Sequence, residues 1–181
     1  MQLIRIHDDG VGIHPDDLTL ALSRHATSKI FELPHLETIM SLGFRGEALA
    51  SISSVSRMVL SACQADADSG WQVSANGFVE QTAPTRISHP RGTTVEVHDL
   101  FFNTPARRKF LRSEQTEFAH LVEVVKRIAL SRFDVAFTLK HKQRTVYQLR
   151  PAHDPVAKLR RVGELCTSAF VEPALSIDAE R

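Results

Sequence analysis

The residues with chemical potential fall in three short segments. Asp8-Asp9-Gly10-Val11-Gly12 places two carboxylates and two glycines within five positions. As plain architecture this is a hairpin turn, since Asp-Gly is a strong type I′ signal. A calcium loop fits less well, because the EF-hand ligand spacing and its distal glutamate are absent. As a binding element it is a strand-end carboxylate beside a pocket, with Gly10 and Gly12 letting a flat ligand approach the backbone. A carboxylate facing adenine accepts a hydrogen bond from the exocyclic amine, a donor that guanine lacks at that position.

Gly43-Phe44-Arg45-Gly46-Glu47-Ala48-Leu49 is the second segment. It either stops one helix and starts another, or turns consecutive N–H groups and a helix N-terminus toward a phosphate. Ahead of it, Arg24-His25-Ala26-Thr27-Ser28-Lys29 supplies hydroxyls and cations suited to the same anion. Two anion-suited segments bracketing a loop suggest a lid over a nucleotide. Several other chemistries are excluded, since there is no GxxxxGK[ST] phosphate loop, no HExxH and no GxSxG. The nine histidines are scattered, none in an i, i+4 pair beside a glutamate. No metal-binding residue is therefore expected in the chain. Cys63 and Cys166 lack CxxC partners, which excludes a disulfide scaffold and a cysteine-based zinc site and fits a reducing compartment.

The elements that must position these segments follow from periodicity. Residues 2–7 alternate as a strand that ends at the first segment, and Pro15 with Asp16 and Asp17 starts a helix through Leu18, Leu20, Ala21 and Leu22. Residues 23–46 read as short loop-like pieces. A second helix is expected from Glu47 through Val55, and strands over 57–62, 71–75, 78–83 and 93–98. Phe118, Leu121, Val122, Val125, Ile128 and Ala129 repeat at helical spacing, which places Lys126 and Arg127 off the apolar stripe. Residues 135–139 and 144–149 read as paired strands, and Pro151 to Pro155 as a linker before a stretch too short to be a domain. Strands and helices mix without βαβ alternation, which predicts an α+β fold with helices on one face of a largely antiparallel sheet.

The chain has 181 residues, 43% apolar and 24% charged, ordinary for a soluble globular protein. No apolar run approaches the roughly 20 residues that span a bilayer, and the start lacks the layout of a signal peptide. A soluble, intracellular protein without membrane association is expected. The net charge of +1 conceals a division: residues 1–106 carry net −5, 107–161 net +9 and 162–181 net −3. The middle block suits a polyanion, although a solvated helix face explains the same charges.

The order of Asp8-Asp9-Gly10-Val11-Gly12-Ile13, Arg24 to Lys29, Gly43 to Leu49 and Gly92-Thr93-Thr94 resembles the ATP-binding region of the MutL family. These are DNA mismatch-repair proteins of the GHKL superfamily, which also holds gyrase, gyrase-like chaperones and histidine kinases. Asn103-Thr104-Pro105-Ala106-Arg107-Arg108-Lys109-Phe110-Leu111 is similar to MutL rather than to the other branches, and the likeness spans essentially the whole chain. The resemblance implies a two-layer α/β sandwich of the GHKL (Bergerat) type, a bacterial source, and work in the cytoplasm at the nucleoid. It implies that Asp8 contacts the adenine amine, with Gly10 and Gly12 beside the base and Thr93 supporting the aspartate and its water. Thr27, Ser28 and Lys29 would lie in the lid, and Gly43, Phe44, Arg45, Gly46 and Glu47 in the phosphate-cradling turn. Residues 1–150 would be most of the ATP-binding domain, and 151–181 the start of the family's second domain.

The resemblance places the family's water-activating glutamate and Mg²⁺-holding asparagine on a helix before the first strand, and of that stretch this sequence is expected to hold only the strand's end. The second domain's phosphate-contacting lysine is expected beyond Arg181. The chain therefore reads as a fragment cut at both ends, with ATP and Mg²⁺ as cofactors of the intact ATPase and no catalytic residue of its own. The intact protein would couple mismatch recognition to repair as a homodimer, with mismatch-recognition and strand-incision proteins as partners. Arg107, Arg108, Lys109, Lys126 and Arg127 are candidates for sequence-independent DNA contacts. The alternatives are a non-catalytic DNA-binding or interaction module using 107–161, and another GHKL enzyme such as a topoisomerase subunit, which the Asn103–Leu111 segment argues against.

Overall fold

The computed structural model describes residues 3–23, 46–77 and 81–166. It divides into two compact units, Met1–Leu111 and Arg112–Arg181. The expected boundary at 150/151 falls inside the second of these.

The first unit is built on a five-stranded sheet in the order β1-β5-β2-β3-β4. Its strands are β1 (Leu3–Asp8), β2 (Arg57–Cys63), β3 (Gly70–Asn76), β4 (Thr85–Ile87) and β5 (Gly92–His98). Every pairing among them is antiparallel, and the register sorts side chains by face. The rows Ile4–Val97–Met58–Ala75, Ile6–Val95–Leu60–Val73 and Asp8–Thr93–Ala62–Trp71 share one face. The rows Leu3–His98–Arg57–Asn76, Arg5–Glu96–Val59–Ser74 and His7–Thr94–Ser61–Gln72 share the other. The first face is apolar and forms the core with helices α1 (Pro15–Ala21) and α2 (Ala48–Ser53). Leu18 and Leu22 are buried there with Met58, Leu60 and Val73, while Leu49 and Ile52 pack on the edge. The α+β expectation holds, with helices on one face of an antiparallel sheet.

Local chemistry explains the boundaries. Pro15 opens α1 behind His14, whose Nδ1 accepts the Asp16 N–H at 3.3 Å. Helix α2 ends at Ser53 rather than running to Val55. The hydroxyls of Ser53, Ser54 and Ser56 donate to the carbonyls of Ala50, Ser51 and Ile52 at 2.9, 2.8 and 2.7 Å, competing with the helical ladder. The strand expected at 78–83 is instead β4 at 85–87; residues 78–80 lie outside the described ones. Gln81 makes only an isolated bridge to Ala75. The Thr82 hydroxyl takes the Ser74 N–H at 2.9 Å, and Pro84 has no N–H to give, so regular pairing resumes at Thr85.

After β5 the chain is held to the α2 end: Phe101 N–H donates to Val55 O at 2.7 Å, and Asn103 Nδ2 to Ser54 O at 2.9 Å. A single helical turn, α3 (Pro105–Arg108), follows and was not expected from periodicity.

The second unit contains α4 (Glu114–Ser131), the hairpin β6 (Phe137–His141)–β7 (Arg144–Leu149) and α5 (Pro155–Leu165). Ala129, Leu149 and Leu165 are its buried apolar centre, flanked by Leu130, Phe137 and Tyr147. Pro151 to Pro155 is no free linker, because the Ala152 N–H donates to Phe133 O at 2.7 Å and Asp154 caps α5 through the Ala157 N–H at 2.9 Å. Arg161, 3% exposed, donates to the carbonyls of Ala129, Arg132, Val135 and Arg150. With the Val135 carbonyl so engaged, β6 starts at Phe137, two residues later than expected.

Candidate functional site

Asp8 is the last residue of β1, exposed, on the side of the sheet where α1 and α2 pack over β2 and β3, and directly opposite Thr93. Its Oδ1 accepts the Gly10 N–H at 2.9 Å, an Asx turn that fixes one oxygen. The other oxygen has no hydrogen-bond partner among the described residues, so it is available to an incoming donor. The turn that follows is not a hairpin turn. β1 pairs with the distant β5, and of the two glycines only Gly12 has positive φ, at +74°. A type I′ hairpin needs two such residues in succession.

Two glycines bring backbones together here. A Cβ on Gly12 would run into the Cys63 carbonyl, and one on Gly92 (φ +113°) into the Asp8 carbonyl. The turn is thus seated against the ends of β2 and β5 with no space for a side chain. Arg91 Nε donates to Gly10 O at 3.1 Å, tying its outer side to the loop before β5. Beside it, Val11, Gln64, Ala65, Asp66, Ala67 and Arg91 line an open cavity of about 370 Å³.

Of the residues expected at a nucleotide, Asp8, Gly10, Gly12 and Thr93 come together at this end of the sheet. Gly46 (φ +62°) and Glu47 stand at the start of α2, where Glu47 is the N-cap residue. Thr27, Ser28, Lys29, Gly43, Phe44 and Arg45 lie outside the described residues. Sequence reasoning passed over His7, His89 and Arg91. The signal for two of them was the run His89-Pro90-Arg91 immediately before Gly92-Thr93-Thr94.

The proposed DNA contacts divide between the units. Arg107, Arg108 and Lys109 project from α3 and its cap, exposed and without an ion pair among the described residues, next to a Phe110 that is 84% exposed. Lys126 and Arg127 are on α4. Arg127 is exposed, but Lys126 is half-buried and holds Glu123 at 2.9 Å, so it does not stand clear of the packed side as the spacing suggested. That ion pair raises the Lys126 pKa.

The fold is that of GHKL-type ATPase domains. The structure aligns with the Aquifex aeolicus MutL ATPase domain, a protein complexed with ADP, at a TM-score of 0.69 and 34% identity, covering 91% of this chain and 56% of that one. No family model matches the chain. Along its whole length it is 60% identical to the DNA mismatch repair protein MutL of Pseudomonas paraeruginosa and 58% to that of Cellvibrio japonicus. The chain belongs to the MutL family of DNA mismatch-repair proteins. It spans 29% of the length of these curated relatives.

Proposed function

We propose that this chain is the adenine-reading part of a MutL ATPase, in which Asp8 accepts a hydrogen bond from the adenine amine. The observation that carries the reading is the Asp8 side chain itself. One oxygen is fixed by Gly10, the other lacks a partner among the described residues, and the exposed carboxylate stands opposite Thr93 on the next strand. The adenine amine fits this carboxylate acceptor, and Gly10, whose Cβ would crowd Asp8 Oδ1, leaves no side chain beside it. Thr93 supports Asp8 from the next strand. In this reading the phosphate end falls to Thr27, Ser28 and Lys29 and to Gly43, Phe44, Arg45, Gly46 and Glu47, on the resemblance of these segments to the family's motifs. The same reading gives residues 1–150 to the ATP-binding domain and 151–181 to the start of the second, although the compact units divide at 111/112.

Mg²⁺, when bound, offsets charge developing on the transferred phosphoryl group. Among the described residues no cluster of three or more His, Cys, Asp or Glu is placed to hold a metal. In this reading its ligand is the asparagine that the family carries on the helix before the first strand. In the whole protein, ATP binding and hydrolysis would couple mismatch recognition to downstream repair, in a homodimer acting with recognition and incision proteins at bacterial DNA. Sequence-independent DNA contact through Arg107, Arg108 and Lys109 is supported by three adjacent exposed cations with no acidic partner among the described residues.

Calorimetry with a non-hydrolysable ATP analogue tests the central point. Asp8→Asn keeps the shape but presents a donor to a donor, and should weaken binding by about 1–3 kcal/mol, roughly 5–150-fold. A guanine analogue should bind the wild-type chain more weakly than the adenine one. Equal affinities of wild type and Asp8→Asn would reject the assignment.

A further inference from the structure

Behind Asp8, on the opposite face of the sheet, hydrogen bonds close into a circuit. His7 Nδ1 is 2.9 Å from Thr94 Oγ1, and the same hydroxyl is 2.8 Å from His89 Nε2. His89 Nδ1 lies 2.6 Å from Pro90 O. Pro90 leads into Arg91, whose Nε donates to Gly10 O at 3.1 Å, and the Gly10 N–H returns to Asp8 Oδ1 at 2.9 Å. The peptide between Asp8 and His7 completes the ring. Four parts of the chain take part: the end of β1, the turn after it, the loop before β5, and β5 itself.

The direction of each proton follows from what the groups can do. A carbonyl only accepts, so His89 Nδ1 carries a hydrogen and, in the neutral ring, Nε2 presents a lone pair. Thr94 must then donate to His89 Nε2. With its single proton spent, Thr94 Oγ1 accepts from His7, which fixes neutral His7 as the Nδ1–H tautomer. Nothing else in the circuit permits the reverse order while both rings are neutral. The two imidazoles meet edge-on with centroids 5.9 Å apart. The other charged groups of this face are Arg5, Glu96, His98 and Arg57. Glu96 is held by Arg5 at 2.5 Å and His98 at 3.4 Å, and Arg57 by Asp99 at 2.7 Å.

We propose that His7, Thr94, His89 and Arg91 are positioning residues that hold the Asp8–Gly12 turn in the geometry that reads adenine. Among the described strands β1 is bonded to β5, which holds its end from the side. The circuit ties that end and the turn beyond it from behind. This rests on the reading of Asp8 as the adenine contact, but the circuit itself can be tested without nucleotide.

The experiment uses the ¹⁵N-labelled 181-residue chain at a pH above histidine titration. Long-range ¹⁵N–¹H spectra should show His7 and His89 both protonated at Nδ1. In Thr94→Val, His7 should shift toward the Nε2–H form, and the Gly10 amide should exchange with water about 2–12-fold faster. Thr94→Ser should restore both. Arg91→Gln opens the circuit at its other end, so Gly10 exchange should quicken while the His7 tautomer stays. An ATP analogue should lose about 2–12-fold in affinity for Thr94→Val and recover it with Thr94→Ser. His7 protonated at Nε2 in the wild type, or Gly10 exchange unchanged in both variants, overturns the circuit. Faster exchange with unchanged nucleotide affinity overturns its positioning role. If Asp8→Asn and wild type bind equally, the adenine reading fails, and the tautomer and exchange results still decide the circuit.

Discussion

At Gly92 the backbone needs both a conformation and a space that other residues lack. Its φ is +113°, and a Cβ would meet the Asp8 carbonyl across the strand pair. Neither problem can be relieved by moving a flexible side chain, because the obstacle is backbone. Gly92→Ala should therefore cost more than the roughly 1–3 kcal/mol of a single strained residue and displace the Asp8–Thr93 pair. Urea denaturation followed by Trp71 fluorescence, from the chain's single tryptophan, checks the stability. Backbone shifts at Asp8 check the displacement. Part of this was legible beforehand: Asp8, Gly10 and Gly12 stand out because their chemistry is local, and Gly92 and Thr93 through the resemblance to the family's motif. The circuit behind them was not, since His7, His89 and Thr94 meet only once β1 has paired with β5 across more than eighty residues of sequence. Nothing in a lone histidine says which hydroxyl it will find.

Elements were readable wherever a period of two or 3.6 met a clear stop. β1, α1, β2, β3, β5 and α4 lie where alternation or an apolar stripe put them. α5 and the late start of β6 were hidden by one residue, Arg161, which composition counts as a surface cation. The structure buries it as a hub for four carbonyls, with its guanidinium 5.7 Å from the Phe133 ring and 6.0 Å from that of Phe137. Arg161→Met should cost at least about 3 kcal/mol, since several buried carbonyls lose their donor together, and Arg161→Lys should rescue only in part because an ammonium cannot span the fork. Emission from Tyr147, the single tyrosine, reports the transition in this unit. The α4–β6 loop also carries an acid-sensitive pair. Arg132 donates to Asp134 at 2.9 and 2.7 Å and holds that carboxyl down at about 2, below its ordinary 3.8. A depressed carboxylate stabilises above its unfolded pKa, so this contribution is complete above about pH 4 and fades as pH falls toward 2. Glu114, lowered by Lys142 and His141, acts in the same sense. A ¹³C carboxyl titration should find Asp134 protonating late, and Arg132→Gln should return it to the ordinary range.

At the scale of the molecule, charge has to be counted by what packs together rather than by stretches of sequence. The net +9 of residues 107–161 is a property of the linear chain. The compact units divide it at 111/112. Residues 1–111 carry 10 basic and 12 acidic side chains, and residues 112–181 carry 12 and 9. Neither unit is strongly basic. Part of the block is also engaged: Arg161 is buried, and Arg132, Lys126 and Lys142 hold Asp134, Glu123 and Glu114. What remains in sequence-adjacent, exposed form is Arg107, Arg108 and Lys109, with Arg112 shortly after. Affinity for DNA that rests on phosphate contacts falls with salt by about 0.9 log units per contact for each log unit of salt. Neutralising Arg107, Arg108 and Lys109 together should therefore flatten the salt slope by about 2–3. Neutralising Lys126 should change it little, because Lys126 already holds Glu123 and is half-buried. Arg127→Gln should lower the slope by at most about 1. Fluorescence anisotropy with duplexes of unrelated sequence, titrated with salt, separates these outcomes. A slope carried equally by Lys126 and by the α3 cations would mean that sequence blocks, and not exposed unpaired groups, set the footprint.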